Sequence, residues 1–539
     1  MTYYRDFREH LQALEQQGKL RRIKREINKD TQLHPLVRLQ FRGLPEEERT
    51  AFLFEKVTDS RGRKYRSSVA VAALAASAQV YAIGMKCRPE EISERMAQAE
   101  LHPIAPQLVS QAPVHEEVHL GDSLLQHGGL EEFPIPVTTP GFDAAPYITA
   151  PSWVTKDPDT GVPNIGMYRA MVKSPGRTAV MFMSTSQGAF IHWDKCRQRG
   201  RPLEAAIVIG ATPNISYVAV SKLPIGLNEY SVAGGIAGEP VPVVKCKTVD
   251  LEVPATAEIV IEGELSTAEV EPEAPFGEAL GFVGSVSMMP CFTVKCITHR
   301  KNPIWLATIS QYPPSESSKI RQYPNEGTVY KHLRYDLGMS HVLAVAFYDD
   351  LGSSRLMAIK VKKTDPAQVW RTLEAAAQRF TLSKIIVAVD EDVNLRDLDS
   401  VMLAICMRTQ PHRDYRIIKV TPSTIMDHSL APEEMPDISQ FGKPAAPREK
   451  PLEASVILMD ATMKWQFPPI SLPRKGFMEE AQRIWQEEGL PPLKLKEPWW
   501  GIDLGLWDQE KEELAEAAAK GDYYRAGELY TRRRKRIDG

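Results

Sequence analysis

VPVVKCKTVDLEVPATAEIVIEGEL (241–265) contains two strand-forming segments separated by a proline-containing break. Runs of this kind, bounded by glycine and proline, are typical of β-strands. The same texture continues outward in both directions, from NIGMYRAMVKS (164–174) to PIWLATIS (303–310). Many short strands at irregular spacing predict a β-barrel or a β-sandwich at the centre of the chain.

The flanking regions differ from this centre. SSVAVAALAASAQVYAIGM (67–85) is small and apolar and is expected to pack a helix against a sheet, and continuous apolar runs such as HVLAVAFYD (341–349) and KIIVAVDED (384–392) alternate with helix-length segments. Alternation of this kind is typical of a sheet covered by helices. The chain is therefore predicted to be an α+β multidomain protein with four units: an N-terminal α/β domain (1–118), a central β-barrel or β-sandwich (119–320), a C-terminal α/β domain (321–490) and a helical tail (491–539).

Composition excludes several classes of function. The 539 residues carry a formal net charge of −3, so no overall charge points to nucleic acid. Two basic runs, LRRIKR (20–25) and RRRKR (532–536), are interpreted as solvated faces of helix-like segments. The six scattered cysteines form no CxxC motif, and neither a secretory signal nor an apolar membrane span occurs. We expect a cytoplasmic protein with reduced thiols that binds neither membranes nor nucleic acid.

EVEPEAPFGEALGF (269–282) carries four glutamates, Glu269, Glu271, Glu273 and Glu278. One interpretation is a solvated loop that leads into a buried strand. However, residues 275–277 interrupt the strand alternation, which allows Glu273 and Glu278 to converge on one cleft. Convergent carboxylates, or one packed against Phe276 and Phe282, have raised pKa values suited to general-acid work. The other two glutamates are expected to be solvated.

Two further segments carry candidate residues. Arg169, among apolar strand residues, requires an anionic partner, which is either a structural carboxylate or a bound ligand. Glu229 precedes a small-residue helix containing AGGIAG (233–238). Together with the Asn164 side chain it offers hard oxygen ligands, which suit Mg²⁺, Mn²⁺ or K⁺. Each segment taken alone also has a purely structural interpretation.

Taken together and in order, these motifs resemble the UbiD family of decarboxylases that use prenylated FMN. The resemblance spans about residues 5 to 465 and rests on four motifs: NIGMYR (164–169), KLPIGLNEYSVAGGI (222–236), EPEAPFGEALGF (271–282) and KIIVAVDEDVNLRDLDSVMLAICMRTQP (384–411). It implies an N-terminal α/β domain, a central FMN-binding split β-barrel, and a C-terminal α/β domain that mediates assembly into a homodimer or homohexamer.

The activity implied by the resemblance is reversible, non-oxidative decarboxylation of an aromatic or α,β-unsaturated acid, with release of CO₂. In this family the reaction runs through a covalent adduct with prenylated FMN, which a flavin prenyltransferase supplies. Carried over by motif, Arg169 orients the substrate carboxylate and Glu278 donates the proton. Glu273 tunes both of them through charge and hydrogen bonding.

The resemblance also implies that a divalent metal, with K⁺ nearby, holds the flavin phosphate. The metal is Mn²⁺, with Fe²⁺ and Mg²⁺ as alternatives, and Asn164 and Glu229 match two of its ligands. The third ligand in the family is the histidine of a Gln-His pair, whereas this chain has Gln187–Gly188. Either His192 supplies the ligand from four residues on, or water or another group does, and a structural role for His192 stays open.

Three more residues are expected near the flavin by the same resemblance: Ile165, Gln187 and Lys384. Lys384 resembles a family lysine close to the phosphate. A solvent-facing lysine at the edge of a strand is the alternative.

Two segments bear on the substrate. SQYPPSESSKIRQ (310–322) aligns with a pocket-lining family segment, and the tail with PWWGIDLGLW (498–507) resembles larger members of the family, including the phthaloyl-CoA decarboxylase type. A CoA ester needs basic groups for its phosphates, and the two basic runs could offer them. A flavin oxidoreductase on a split barrel is the alternative function, although the chain lacks a dinucleotide-binding fingerprint. A third interpretation is a non-catalytic assembly subunit.

Overall fold

The computed structural model describes residues 2–273, 275–284, 286–352, 354–421, 427–431, 434 and 453–537. Part of the predicted C-terminal unit, including residues 435–452, lies outside these ranges. The strands are β1 (Leu20–Asn28), β2 (Ala51–Thr58), β3 (Ser68–Val71), β4 (Gln107–Leu108), β5 (Glu117–Leu120), β6 (Tyr147–Ile148), β7 (Ser152–Lys156), β8 (Pro163–Met167), β9 (Ala170–Ser174), β10 (Arg177–Val180), β11 (Leu203–Ile209), β12 (Pro242–Lys245), β13 (Glu252–Pro254), β14 (Ile259–Glu273), β15 (Phe276–Gly277), β16 (Val283–Gly284), β17 (Ser287–His299), β18 (Ile304–Ala307), β19 (Val342–Phe347), β20 (Leu356–Val361), β21 (Ile385–Val389), β22 (Tyr415–Val420) and β23 (Ala454–Ala461). The α-helices are α1 (Phe7–Gln16), α2 (Leu33–Gly43), α3 (Ala78–Met85), α4 (Ile92–Leu101), α5 (Asp122–Gln126), α6 (Gly188–Gln198), α7 (Pro213–Ala219), α8 (Glu229–Ala237), α9 (Glu316–Lys331), α10 (Pro366–Arg379), α11 (Leu398–Arg408), α12 (Pro411–Asp414), α13 (Lys475–Glu487), α14 (Gln509–Ala519) and α15 (Arg525–Arg532). These elements confirm a mixed α/β multidomain architecture.

The N-terminal unit is a four-stranded sheet in the order β1-β2-β3-β18, flanked by helices. Two sequence-based expectations are wrong here. The basic run at 20–25 lies in strand β1, because that segment pairs in parallel with β2 and buries Leu20 while its arginines face outward. The segment PIWLATIS, expected in the central barrel, instead supplies β18, which pairs in parallel with β3 and buries Trp305 and Leu306.

The central unit is one curled sheet of nine strands that forms a half-barrel. Its order is β6-β9-β10-β17-β14-β11-β7-β8, with β5 added alongside β17. The middle of the sheet is held by β-branched residues that face one another across β11 and β14, such as Ile207 opposite Ile261 and Val208 opposite Val260. Of the two predicted architectures, the structure therefore has the barrel-like one and not a sandwich of two facing sheets.

The C-terminal unit is a five-stranded sheet in the order β19-β20-β21-β23-β22. The three inner strands run parallel and the two edge strands run antiparallel to them. Separate apolar clusters cover its two faces, whereas the N-terminal and central units share one continuous core. The predicted α/β character of this unit is confirmed, including the helix α10.

Helix α13 follows the C-terminal sheet, and the tail carries α14 and α15. Helix α13 is exposed or half-buried throughout, and ion pairs such as Lys494 with Glu47 (2.6 Å) attach the tail to the body. The second basic run was expected in a helix, but α15 ends at Arg532 and the run continues beyond it. Among the described residues, no helix is both long enough and apolar enough to span a membrane. All six cysteines are free thiols.

Candidate active site

Arg169 lies at the point where β8 passes into β9 on the half-barrel. Its carbonyl oxygen accepts a hydrogen bond from the amide of Met181 (3.1 Å), which ties the turn to the next strand. Its side chain is buried, and the guanidinium carbon lies 4.8 Å from the centroid of the Phe276 ring and 5.8 Å from that of Tyr147. A planar cation that lies against two neighbouring aromatic rings is well suited to arginine and poorly to lysine.

Glu273, the last residue of β14, is completely buried beside this arginine. Arg169 Nε donates to Glu273 Oε1 (2.8 Å) and Nη2 donates to Oε2 (2.7 Å). The two parallel hydrogen bonds fix the plane of the guanidinium. One edge of Arg169 is thereby committed to Glu273, and Nη1 is left to face the other side.

Glu278 lies on that other side, on a short hairpin made of β15 and β16. Its Oε1 forms an ion pair with Arg169 Nη1. The turn is closed by the amide of Glu278, which donates to Phe282 O (2.9 Å), and by the amide of Gly281, which donates to Glu278 O (2.9 Å). Gly281 has φ +100°, a conformation that favours glycine. The predicted convergence of Glu273 and Glu278 on Arg169 is confirmed.

The other two glutamates of this segment stand apart, as expected. Glu269 is exposed to solvent. Glu271 pairs at the surface with Arg177 and with Lys173 (3.3 Å). Phe282, expected to pack on a carboxylate, is 57% exposed, and the buried aromatic contacts at Arg169 come from Phe276 and Tyr147.

Asp143 supports the hairpin and was missed by the sequence analysis. Its Oδ1 accepts from the amide of Gly277 (3.0 Å), and its Oδ2 accepts from the amides of Thr138 (3.0 Å) and Thr139 (2.6 Å). One carboxylate thus ties the start of the hairpin to the loop before β6. A Cβ at Gly277 would lie 2.4 Å from Thr139 Oγ1, so the close approach also requires glycine. The only signal in the sequence was an aspartate in the proline- and glycine-containing loop TTPGFD (138–143).

Replacement of Asp143 by alanine is expected to lower kcat by up to about 10²-fold, because a small displacement of the Glu278 hairpin misplaces a reacting group. The three unpaired amides should also lower the free energy of unfolding by about 1–3 kcal/mol. Asp143→Asn keeps one acceptor oxygen and should fall between wild type and Asp143→Ala in both measurements. Equal activity of all three proteins would contradict the positioning role.

Asn164 and Glu229 are candidates for holding a cation. Asn164 lies in β8, and Glu229 is the first residue of α8, placed there by the cap that Asn228 Oδ1 forms with the amide of Tyr230 (2.9 Å). Burial raises the pKa of Glu229 to about 8, although backbone amides, including that of Ile165, act to lower it. Glu229 Oε2 is buried and makes no hydrogen bond to any described residue. A buried carboxyl oxygen without a donor among the described residues fits a hard cation such as Mn²⁺ or K⁺.

The structure does not place a histidine as the expected third metal ligand at position 188. A Cβ at Gly188 would lie 1.8 Å from Asn164 Oδ1, so a histidine at 188 and the present Asn164 exclude each other. His192, one turn further along α6, places Nδ1 2.9 Å from Thr155 Oγ1 and Nε2 3.9 Å from Asp157 Oδ2. This placement favours the structural role for His192, and its role as a metal ligand remains a prediction.

Gly188→Ala is expected to lower the free energy of unfolding by about 1–3 kcal/mol, because Asn164 must move to admit the new methyl group. The displaced Asn164 should also reduce the flavin retained through purification. Gly476→Ala is the matched control, since Gly476 is likewise in the first turn of a helix and has open space around it. A Gly188→Ala protein with wild-type stability and flavin content would show that Asn164 does not occupy this position.

The remaining predicted flavin contacts are dispersed. Ile165 is buried in β8, and Gln187 Oε1 caps the turn before α6 by accepting from the amide of Met183 (2.9 Å). Lys384, just before β21, places Nζ 2.5 Å from Asp427 Oδ2 in the C-terminal unit. Its amino group is therefore already paired, and its contact with a phosphate remains a prediction.

Comparison with known proteins assigns both the half-barrel and the C-terminal sheet. Residues 107–313 match the model of the 3-octaprenyl-4-hydroxybenzoate carboxy-lyase Rift-related domain, and residues 319–443 match that of the carboxy-lyase C-terminal domain. An uncharacterized protein of Synechocystis sp. is 31% identical over 92% of this chain and 98% of its own length. An uncharacterized protein of Archaeoglobus fulgidus is 32% identical over 79% of this chain and 89% of its own length.

Two of the similar solved structures match most of this chain. An evolved dimeric form of the UbiD-class enzyme HmfF from Pelotomaculum thermopropionicum, in complex with prFMN, is 28% identical, with a TM-score of 0.75 over 89% of this chain and 100% of that one. Vanillic acid decarboxylase from Sedimentibacter hydroxybenzoicus, in closed form, is 26% identical, with a TM-score of 0.76 over 90% of this chain and 100% of that one.

Proposed function

The chain belongs to the UbiD family of carboxy-lyases, and from this premise we propose that it decarboxylates an aromatic or α,β-unsaturated carboxylic acid with the aid of prenylated FMN. The observation that carries the proposal is one buried guanidinium, that of Arg169, held between the carboxylates of Glu273 and Glu278. This is an arrangement able to bind a carboxylate and to deliver a proton beside it.

The charges around Arg169 divide the roles of the two glutamates. Glu273 holds two of the guanidinium nitrogens in a bidentate pair, and Glu278 meets only Nη1. A substrate carboxylate arriving at Nη1 would place three carboxylates around one cation. Repulsion between like charges then favours protonation of the carboxylate that has lost its partner, which is Glu278. The binding of substrate thus favours the protonated form of Glu278, which is the form that can act as the acid.

Decarboxylation breaks the bond between the substrate carbon and its carboxylate, and CO₂ leaves. When bound, prenylated FMN supplies the electron sink for the electron pair left on that carbon. Glu278 then delivers a proton to the same carbon and regains one from solvent. Glu273 keeps Arg169 in place through the cycle, and with CO₂ in excess the same groups serve carboxylation in reverse.

Asn164 and Glu229 are proposed to hold the divalent metal that fixes the flavin phosphate, with Ile165, Gln187 and Lys384 nearby. Glu229 Oε2, which accepts no hydrogen bond from any described residue, supports the proposal of a metal, because a cation would satisfy this oxygen. Mn²⁺, with Fe²⁺ or Mg²⁺ as alternatives, and K⁺ suit the oxygen donors of the two side chains. A flavin prenyltransferase would supply the cofactor.

A CoA thioester such as phthaloyl-CoA is the proposed specific substrate, bound through its phosphates at the basic runs. Part of these runs is already paired, since Arg22 contacts Glu15 and Glu55 and Arg533 contacts Glu510. Exposed arginines of the second run, such as Arg534 and Arg536, are therefore the ones to substitute. Their loss should raise KM for a CoA ester and leave KM for a free acid unchanged.

A homodimer or homohexamer is proposed to form through the C-terminal unit. Helix α11 carries large side chains that are exposed on the single chain, among them Leu403 (62%) and Met407 (69%). Apolar side chains clustered on one helix are typical of a surface covered in an assembly. Light scattering of the purified protein distinguishes the two assemblies.

The proposed function is tested on protein co-produced with a flavin prenyltransferase. The extracted cofactor should have the mass of prenylated FMN, and CO₂ should be released from members of a panel of aromatic acids and their CoA esters. Protein produced without the prenyltransferase should bind FMN and release none. Unmodified FMN that NAD(P)H bleaches, with no CO₂ release, would support the alternative, a flavin oxidoreductase.

A further inference from the structure

A second cluster of titratable side chains lies around strands β5 and β17. It shares no residue with the candidate active site. Its members are His119, His127, Glu132 and His299. In the register of the two antiparallel strands, His119 faces Ile297, so His299, two residues further on, projects from the same face of the sheet. Four separate segments therefore contribute one side chain each.

Three of the four side chains lie close enough to share one ion, and His299 adjoins them through Glu132. His119 Nδ1 is 3.0 Å from Glu132 Oε2, and His299 Nε2 is 3.6 Å from Glu132 Oε1. The rings of His119 and His127 stack with centroids 3.9 Å apart, so His127 has to rotate off this stack to share an ion with His119. The ligand atoms of His119, His127 and Glu132 all lie within 4.8 Å of one another.

His299 provides an independent indication that a cation is missing. Its Nδ1 lies 2.8 Å from the carbonyl oxygen of Arg300, which can only accept, so Nδ1 donates there and Nε2 is the nitrogen left for a ligand. That Nε2 is buried, makes no hydrogen bond to any described residue and lies 3.6 Å from Glu132 Oε1. With the imidazole neutral, Nε2 and the carboxylate are two acceptors turned toward each other, and a cation between them would satisfy both.

We propose that His119, His127, Glu132 and His299 bind one Zn²⁺ ion at a structural site. Three imidazoles and one carboxylate form the nitrogen-rich, four-ligand set that Zn²⁺ prefers, unlike the oxygen donors of Asn164 and Glu229. The hydrogen bond from His299 to a backbone carbonyl is the outer contact that metal-ligating histidines usually make. Phe133 packs against the His299 ring, with centroids 5.4 Å apart, and shields the site on one side.

Ion binding would tie the segment between β5 and β6 to the central sheet. His127 follows α5, and Glu132 ends the 3₁₀ turn Gly129–Glu132, whereas His119 and His299 belong to paired strands. Zn–N and Zn–O bonds of about 2.0–2.1 Å set ligand atoms about 3.3 Å apart. The exposed His127 is the side chain free to move inward, so it completes the site.

The test uses untagged full-length protein that carries Glu229→Gln, which removes the oxygen-ligand site, after treatment with a chelator that is then dialysed away. Co²⁺ is the probe, because a tetrahedral site gives it intense visible absorption, and Zn²⁺ is the competitor. We expect one equivalent of Co²⁺ to produce this absorption and one equivalent of Zn²⁺ to abolish it. Zn²⁺ should also raise the melting temperature.

His127→Ala and Glu132→Gln should each weaken Zn²⁺ binding by at least about tenfold, as loss of a ligand removes a bond to the ion. His102→Ala, an equally exposed histidine outside the cluster, should bind as the parent does. The proposal is overturned if the parent protein binds no Co²⁺ in tetrahedral form, or if His127→Ala binds it as tightly as His102→Ala. Because His127 is on the surface, its variant should remain folded.

Discussion

Glu278→Gln is expected to lower the turnover of decarboxylation by about 10³-fold while the protein keeps its cofactor. Glutamine has nearly the shape of glutamate and can still contact Arg169, but it has no proton to give to the carbon that loses CO₂. Substrate binding should change much less than turnover, because Arg169 and Glu273 retain their bidentate pair. Turnover is measured as CO₂ release, and cofactor content as bound flavin per chain.

Glu269→Gln is the matched control for this variant. It makes the same chemical change in the same segment, but at an exposed residue away from the guanidinium, so wild-type turnover is expected. Deuterium from solvent should enter the product of the wild-type enzyme at the former carboxylate position. If Glu278→Gln turns over at the wild-type rate, another group donates the proton and the role proposed for Glu278 is wrong.

Arg169→Met is expected to abolish measurable decarboxylation and to lower the free energy of unfolding by about 3–5 kcal/mol. The cause of the second effect is Glu273, which is fully buried and loses the partner of both its oxygens. Denaturant midpoints of the cofactor-free protein measure the stability. Surface pairs are worth about 1 kcal/mol or less, so Arg177→Met, which removes one of the two basic partners of Glu271, should hardly shift the midpoint.

A double variant separates the structural part of this effect from the chemical part. Arg169→Met combined with Glu273→Gln removes the buried charge together with its partner, and should regain most of the lost stability. Activity should stay absent, because no cation remains to bind the substrate carboxylate. A double variant no more stable than Arg169→Met alone would contradict the account based on the buried charge.

Much of the fold was predictable because local composition and final structure agree. The β-branched runs at 203–209 and 257–265 became the facing strands β11 and β14. The run at 20–25 misled because leucine, lysine and arginine also favour helices, and only pairing with β2 decides for a strand. The partner of a strand is a property of the whole fold, so nothing local in 303–310 predicts the N-terminal sheet.

Some residues of the candidate site were predictable from the sequence and others were not. Arg169, Glu273 and Glu278 were identified because their motifs are short and contiguous, and a buried arginine needs anions. Asp143 was missed because it accepts from backbone amides, one of them 134 residues away at Gly277, and amides carry no sequence signal. The exclusion between Gly188 and Asn164 is likewise a distance between two segments and becomes visible only in three dimensions.

The hairpin that carries Glu278 has its tip against the C-terminal unit. The Phe282 ring meets His428 edge to face, with centroids 4.9 Å apart, and Leu280 lies so near Gly352 that a Cβ there would approach within 3.1 Å. The half-barrel alone, although it contains Arg169, Glu273 and Glu278, therefore lacks the surface that supports the Glu278 hairpin. Grafting these motifs onto another barrel would have to bring along the surface on which the proposed proton donor rests.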